Sequence, residues 1–184
     1  MTEVEFDHVT LTGGEPFARA DVWDVLALLQ RHGLRALIIS NGGLVTDAHA
    51  ERLAPFHPLF VQATLNGPDA ALHEAHVGAG MDHFSKTIRG IEALRRHGVR
   101  VGGCIVVTRL NAAAVDEILA RFLALGVTDV ALSRYSPAGY AAEQVATLLP
   151  SRSDLARALA LAEPFGRDRG MSLQVTMPVP PCVI

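Results

Sequence analysis

Four residues near the start of the chain, Gly13-Gly14-Glu15-Pro16, have the types and spacing to receive a positively charged group. Two glycines let the backbone come close to a ligand and adopt positive φ, and the proline stiffens the exit. Backbone carbonyls and the Glu15 carboxylate are all acceptors. That suits an ammonium ligand, whereas a phosphate needs donors. The competing reading is a tight strand-to-helix turn with a solvated glutamate, since Gly-Gly turns are common.

Small polar residues recur after short apolar stretches: Ser40-Asn41-Gly42, Thr64-Leu65-Asn66-Gly67, Thr108 with Asn111, and Ser133-Arg134-Tyr135. A ring of such groups with one guanidinium is what a pocket for a polar small molecule needs. Each asparagine taken alone is better explained as a turn former. Arg134 is harder to dismiss, because arginine pairs bidentately with carboxylates; its alternative is a surface ion pair. All eight histidines lie in the first 97 residues. The pair in His73-Glu74-Ala75-His76 is spaced i, i+3 and lacks the His-Glu-x-x-His arrangement of a zinc helix. No Gly-x-Ser-x-Gly elbow exists, so hydrolase chemistry has no support.

These residues need elements to position them. Strands are predicted at Phe6 to Leu11, Ala36 to Ile39, Leu59 to Leu65, Val99 to Val107, Asp129 to Ser133 and Ser172 to Thr176. Helical spacing predicts helices at Asp21 to His32, with Asp21 as N-cap, and at Asp47 to Leu53, Ala70 to His76, Phe84 to His97, Ala112 to Leu125 and Asp154 to Phe165. Ser136 to Leu149 reads as irregular. Strands apolar on both faces and separated by helices imply an α/β protein with a covered parallel sheet. A partial or whole (β/α) barrel is the first expectation and a doubly wound open sheet the second. Either places a ligand beyond the carboxyl ends of the strands, where the polar residues above lie.

Composition narrows the classes. The chain has 184 residues, 49% hydrophobic and 19% charged, with a net charge of −3. That predicts one domain with an ample core and argues against disorder. A slightly acidic chain is a poor binder of nucleic acid, which demands clustered Lys and Arg. No apolar run approaches a membrane span and the start is not a signal peptide, so the expected location is cytoplasmic. Cys104 and Cys182 are the only cysteines, too few for a disulfide framework or a four-thiolate metal site.

The Gly13-Gly14-Glu15-Pro16 loop after Val9-Thr10-Leu11-Thr12, followed by Ile38-Ile39-Ser40-Asn41-Gly42 and by Ala63-Thr64-Leu65-Asn66-Gly67-Pro68 with His73 beyond, resembles the radical S-adenosylmethionine (radical SAM) superfamily. Gly78 to Phe84, Val107 to Asn111 and Leu132 to Gly139 also fall where relatives with a C-terminal cluster domain carry similar residues. The resemblance implies a partial (β/α)6, TIM-like barrel. It also implies a [4Fe–4S] cluster held by a CxxxCxxC loop, which binds S-adenosyl-L-methionine and cleaves it reductively to a 5′-deoxyadenosyl radical. Gly13, Gly14, Glu15 and Pro16 would then receive the methionine ammonium, with Asn41 beside them. Thr64 or Asn66 would face the ribose and methionine end, and Lys86 or Arg134 would meet the methionine carboxylate.

No CxxxCxxC occurs in the sequence. The resemblance therefore implies that residues 1–176 are an N-terminally truncated barrel core, inactive alone. It implies too that 177–184 open a C-terminal extension of the SPASM or twitch type, with Cys182 as an auxiliary-cluster ligand in a longer parent oxidoreductase or peptide-modifying enzyme. Such a parent would act on a small-molecule or peptide substrate and take electrons from a donor, with no nucleic acid or membrane partner. The alternative is a degenerate barrel that binds a ligand or acts as a scaffold without chemistry.

Overall fold

Every strand pairing whose register is defined is parallel, as β-strands joined by crossover helices require. The computed structural model describes residues 7–77, 82–137 and 143–176. Six strands form one sheet in the order of the chain: β1 (His8–Leu11), β2 (Arg35–Ser40), β3 (Phe60–Thr64), β4 (Val101–Val107), β5 (Asp129–Arg134) and β6 (Ser172–Val175). The helices between them are α1 (Val22–Arg31), α2 (Asp47–Leu53), α3 (Ala70–Val77), α4 (His83–Arg96), α5 (Val115–Ala124), α6 (Val145–Leu148) and α7 (Arg152–Asp168). A parallel six-stranded sheet with its strands in sequence order is the arrangement of a partial (β/α)6 barrel and differs from a doubly wound sheet, whose strand order reverses.

The chain divides into two compact units, one running to Ala63 and taking in Ser85–Val101, the other holding Thr64–Phe84 and the residues from Gly102. In the first unit, burial alternates along β2 and β3. Ala36, Ile38, Val61 and Ala63 are buried, whereas Leu37, Ile39, Gln62 and Thr64 are half-buried. One sheet face is therefore covered and the other partly open, which corrects the expectation of strands covered on both faces. Ile91 and Leu94 of α4 and Leu26 of α1 are buried with that covered face. In the second unit β4 is buried almost throughout, and Phe122, Ile118 and Leu119 of α5 are fully buried. A large apolar side chain removed from water contributes about 1.5–3 kcal/mol.

Several boundaries moved for local reasons. Asp21 occupies the N-cap of α1, but its carboxylate makes no capping bond. It is held by the guanidinium of Arg19 instead, Nε at 2.9 Å and Nη2 at 2.7 Å. Helix α5 starts at Val115 rather than Ala112, because Asn111 and Thr108 bond into a turn. A short helix, α6, lies within the stretch read as irregular. No helix of the described residues is long and apolar enough to cross a membrane.

Candidate functional site

The Gly13–Pro16 loop leaves β1 and is held by its own glutamate. Gly13 adopts φ 113° and Gly14 is exposed, with no atom within 4 Å of the place a Cβ would occupy at either residue. Glu15 is half-buried. Its Oε1 accepts the Phe17 amide at 3.2 Å and the Ser40 hydroxyl at 2.8 Å, and its Oε2 accepts the Asn41 amide at 2.8 Å. Ser40 Oγ in turn accepts the Gly42 amide at 2.9 Å, and the Asn41 carbonyl accepts the Thr87 hydroxyl at 3.0 Å. Glu15 is thus a brace between the ends of β1 and β2, not a solvated rim group. A carboxylate has about four acceptor positions, and three of Glu15's are filled, so one remains for a ligand. The Asn41 side chain accepts the Gly43 amide at 2.8 Å, the turn-forming role.

Behind the loop, Pro16 and Phe17 are buried. Phe17 packs against Trp23 and edge-on to His49, with ring centroids 6.3 and 6.1 Å apart. The Trp23 ring is inclined by 29° to each of His49 and Phe56, at centroid distances of 5.9 and 6.5 Å, and the Arg52 guanidinium lies 4.4 Å from its centroid. This aromatic cluster fixes the chain where it leaves the glycines.

In the second unit most of the polar strand-end residues bond to one another. Asn66 is 8% exposed. Its side-chain oxygen accepts the Val106 amide at 3.0 Å, and its own amide donates to His73 Nδ1 at 3.1 Å. The buried Asn111 donates to the carbonyls of Asn66 and Val106 and accepts the Thr108 amide. These asparagines lock the Asn66 turn to the end of β4. Gly67 is required here by close approach: a Cβ would overlap the His73 nitrogen and lie 2.9 Å from Leu72 Cβ.

His73, His83 and His76 engage one another and their surroundings through hydrogen bonds, and among the described residues no group of three or more His, Cys, Asp or Glu is placed to hold a metal ion. Because His73 Nδ1 accepts the hydrogen bond of the Asn66 N–H, the proton of the neutral ring is on Nε2, which sits 2.9 Å from His83 Nδ1 with the two rings stacked at 5.2 Å. His76 donates from Nδ1 to the Leu72 carbonyl at 2.9 Å, and its Nε2 lies 2.7 Å from the Thr108 hydroxyl. Burial, then the neighbouring His83 and His76, push His73 down from 6.5 to about 4. Burial also lowers His76, against the opposing bond to Leu72.

Thr64 is half-buried and its hydroxyl bonds to the Cys104 thiol, which burial pushes up to about 11. Arg134 leaves the sheet on the other face. Gly103 lies under Phe122 of α5, where an added Cβ would be 2.9 Å from the ring. Gly103 is paired with Val130, and Val107 with Arg134. Side chains alternate faces along a strand, so Val130, Leu132 and Arg134 share the helix-covered face, whereas Cys104, Ala131 and Ser133 share the Thr64 face. Arg134 lines a niche with Leu155, Ala158 and Leu159 of α7. It is therefore not brought together with Thr64.

Lys86 is exposed on α4 and lines a cleft of about 530 Å³ with Arg89, Glu92 and Arg96, opposite Gly43 to Asp47. Gly13, Gly14 and Glu15 do not line that cleft. Cys182 and the Gly78 to Gly80 loop lie outside the described residues. The bracing roles of Ser40 and Thr87 were not read from the sequence. Thr87, a hydroxyl two residues after Ser85 inside a helical pattern, carries no signal there.

Residues 2–132 match the sequence model of the Radical SAM superfamily. The chain belongs to the radical SAM superfamily. It is similar to an AdoMet-dependent heme synthase of Nitratidesulfovibrio vulgaris, 32% identical over 134 residues, which cover 73% of this chain and 36% of that protein. It is also similar to the mycofactocin maturase MftC of Mycobacterium tuberculosis, 30% identical over 152 residues, 82% of this chain and 38% of the other. The chain thus spans well under half the length of these curated relatives. Among solved structures, anSMEcpe with bound AdoMet and Cp18Cys peptide superposes with a TM-score of 0.71 at 21% identity, over 90% of this chain and 49% of that one. SuiB of Streptococcus suis bound to S-adenosylmethionine gives 0.71 at 16% identity, over 94% and 39%. At those identities the structures establish the fold.

The radical SAM fold implies two groups, and the described residues fit them differently. For a [4Fe–4S] cluster they do not fit: Cys104 is the only described cysteine, it is buried, and its proton is held well above neutrality. A cluster ligand must be a thiolate. For S-adenosylmethionine the Gly13–Glu15 loop does fit, with open space over both glycines and one acceptor position left on Glu15.

Proposed function

We propose that this chain binds S-adenosylmethionine through the Gly13–Glu15 loop, the methionine ammonium donating to Glu15 and to the exposed glycine carbonyls. The observation that carries this is the bracing of Glu15 by Ser40 and Asn41, which aims a partly shielded carboxylate with one acceptor position unfilled beside two exposed glycines. Preorganised acceptors cost little further ordering when the ligand arrives.

For the longer enzyme we propose reductive cleavage of S-adenosylmethionine to begin radical chemistry on a small-molecule or peptide substrate. The names of its relatives, which include a heme synthase, a mycofactocin maturase and a PqqA peptide cyclase of Gluconobacter oxydans, support that range of substrates. Cluster ligands and an electron donor come from outside the described residues.

Calorimetry of the 184-residue chain with S-adenosylmethionine tests the binding. Saturable binding is expected, about tenfold or more weaker in Glu15→Gln, which keeps size but loses the charge. Equal binding by the variant, or none by the native chain, refutes the assignment. A second reading, a non-catalytic binding or scaffold module, rests on the lack of a three-cysteine loop in these 184 residues. Both readings expect no cluster on these 184 residues alone, so the separating experiment joins them to a CxxxCxxC loop and reconstitutes with iron and sulfide anaerobically. A stoichiometric cluster with release of 5′-deoxyadenosine excludes the non-catalytic module, and a cluster without that release favours it.

A further inference from the structure

Among the described residues, one buried side-chain nitrogen or oxygen has no hydrogen-bond partner: Nε of Arg134. A guanidinium stays charged at any ordinary pH and is a donor only. A buried donor left unmade costs about 1–3 kcal/mol, and more when charged, so native proteins rarely tolerate one without a reason. The position is not accidental packing at a strand interior. Arg134 is the last residue of β5, half-buried, and on the helix-covered face of the sheet.

The space around it defines what it can receive. Arg134 lines a cavity of about 20 Å³ whose other walls include Val107, Leu132, Leu155, Ala158, Leu159 and Val175. That volume admits a single small group. A water there finds the Nε proton but few of the two to four polar partners that hold a buried water, because the other walls are aliphatic apart from Ser133, whose side chain belongs to the opposite face of the sheet. An inorganic phosphate would have to shed most of its hydration against the same walls. A carboxylate on an alkyl stem meets both conditions: one oxygen pairs with the charged donor, and the stem covers apolar surface, including Val175, which is 48% exposed.

We propose that Arg134 receives the carboxylate of an organic acid or acidic side chain, at a site distinct from the Gly13–Glu15 loop. The methionine carboxylate of S-adenosylmethionine has the same chemistry, so the test separates that source from an alkyl carboxylate. The face of the sheet favours the second, since Arg134 and Thr64 lie on opposite sides of it.

The experiment follows the arginine Nε–H resonances of the 15N-labelled chain by NMR while sodium butyrate is added at constant ionic strength. The Arg134 resonance is the one missing from Arg134→Lys. It is expected to shift saturably with butyrate, while chloride and inorganic phosphate leave it in place and S-adenosylmethionine does not move it. Ala158→Val, which narrows the niche and leaves the guanidinium untouched, is expected to weaken the butyrate response about tenfold. No shift with butyrate overturns the proposal, as does an equal shift with chloride. A shift with S-adenosylmethionine alone also overturns it and returns Arg134 to the cofactor. None of these outcomes depends on whether Glu15 binds the ammonium.

Discussion

The Ser40 hydroxyl donates to Oε1 of Glu15 at 2.8 Å, joining the ends of β1 and β2 through side chains 25 residues apart. Ser40 is 3% exposed, so neither partner can be replaced freely by water. Its oxygen also accepts the Gly42 amide. One small side chain therefore sets the glutamate and the loop after β2 together.

Ser40→Ala removes a buried bond to a charged acceptor and orphans the Gly42 amide, so a loss of about 1–3 kcal/mol in denaturant unfolding is expected. Ser40→Thr keeps the hydroxyl and is expected to retain most of the stability. S-adenosylmethionine affinity should track the hydroxyl, falling in the alanine variant and recovering in the threonine variant. Alanine with native affinity would show that Glu15 holds its position without this bond.

Two glycine positions should respond in opposite ways to alanine. At Gly67 the new Cβ would overlap the backbone of His73 and crowd Leu72, with no flexible atom to yield, so a loss above about 3 kcal/mol or failure to fold is expected. At Gly13 space is open and only the φ of 113° is strained, a cost of about 1–3 kcal/mol. Thermal unfolding of Gly13→Ala should still be cooperative, and the variant's main deficit should be in cofactor binding.

How much of this was legible in the sequence depends on whether the cause is local. The alternation of strands and helices that implies a partial (β/α)6 barrel is carried by local apolar patterning, and the structure has that parallel sheet. The turn at Asn41 is likewise local, its side chain accepting the Gly43 amide two residues on. Asn66 and Asn111 looked like pocket residues, but Asn66 accepts the Val106 amide 40 residues on and Asn111 donates to the Asn66 carbonyl 45 residues back, contacts that no local pattern announces. Arg134 shows a parity problem. Which face it takes is decided by register against Gly103 and Phe122, and a shift of one residue would reverse it. Sequence pattern could not supply that register, because β4 is apolar at nearly every position.

Cys104 is predicted to be inert in the native state. Its thiol is buried and pushed up to about 11, with burial outweighing the bond to Thr64. At pH 8 only about one molecule in a thousand is thiolate, and the thiolate is the reactive form. Iodoacetamide labelling read by peptide mass spectrometry should leave the Cys104 peptide unmodified in the native chain and label it fully in denaturant. Native labelling at the rate of a free thiol would contradict the geometry around Thr64.

The acid limb of the stability curve should carry the signature of His73. Its folded-state value is depressed to about 4 from 6.5, burial being the largest cause and His83 and His76 the next. A base with a depressed value stays neutral in the folded chain while the unfolded chain takes up a proton. Its contribution is therefore fully present above about pH 6.5 and is lost as pH falls toward 4, and the unfolding free energy rises with pH across that window. The full effect is about 3 kcal/mol at this 1%-exposed residue. His76, lowered by burial, adds in the same direction. Urea unfolding at a series of pH values from 4 to 7 should show a steeper slope for the native chain than for His73→Gln, even where the variant is less stable throughout. Equal slopes would mean that His73 is protonated in the fold, and the bond from the Asn66 amide to its Nδ1 could not then exist as described.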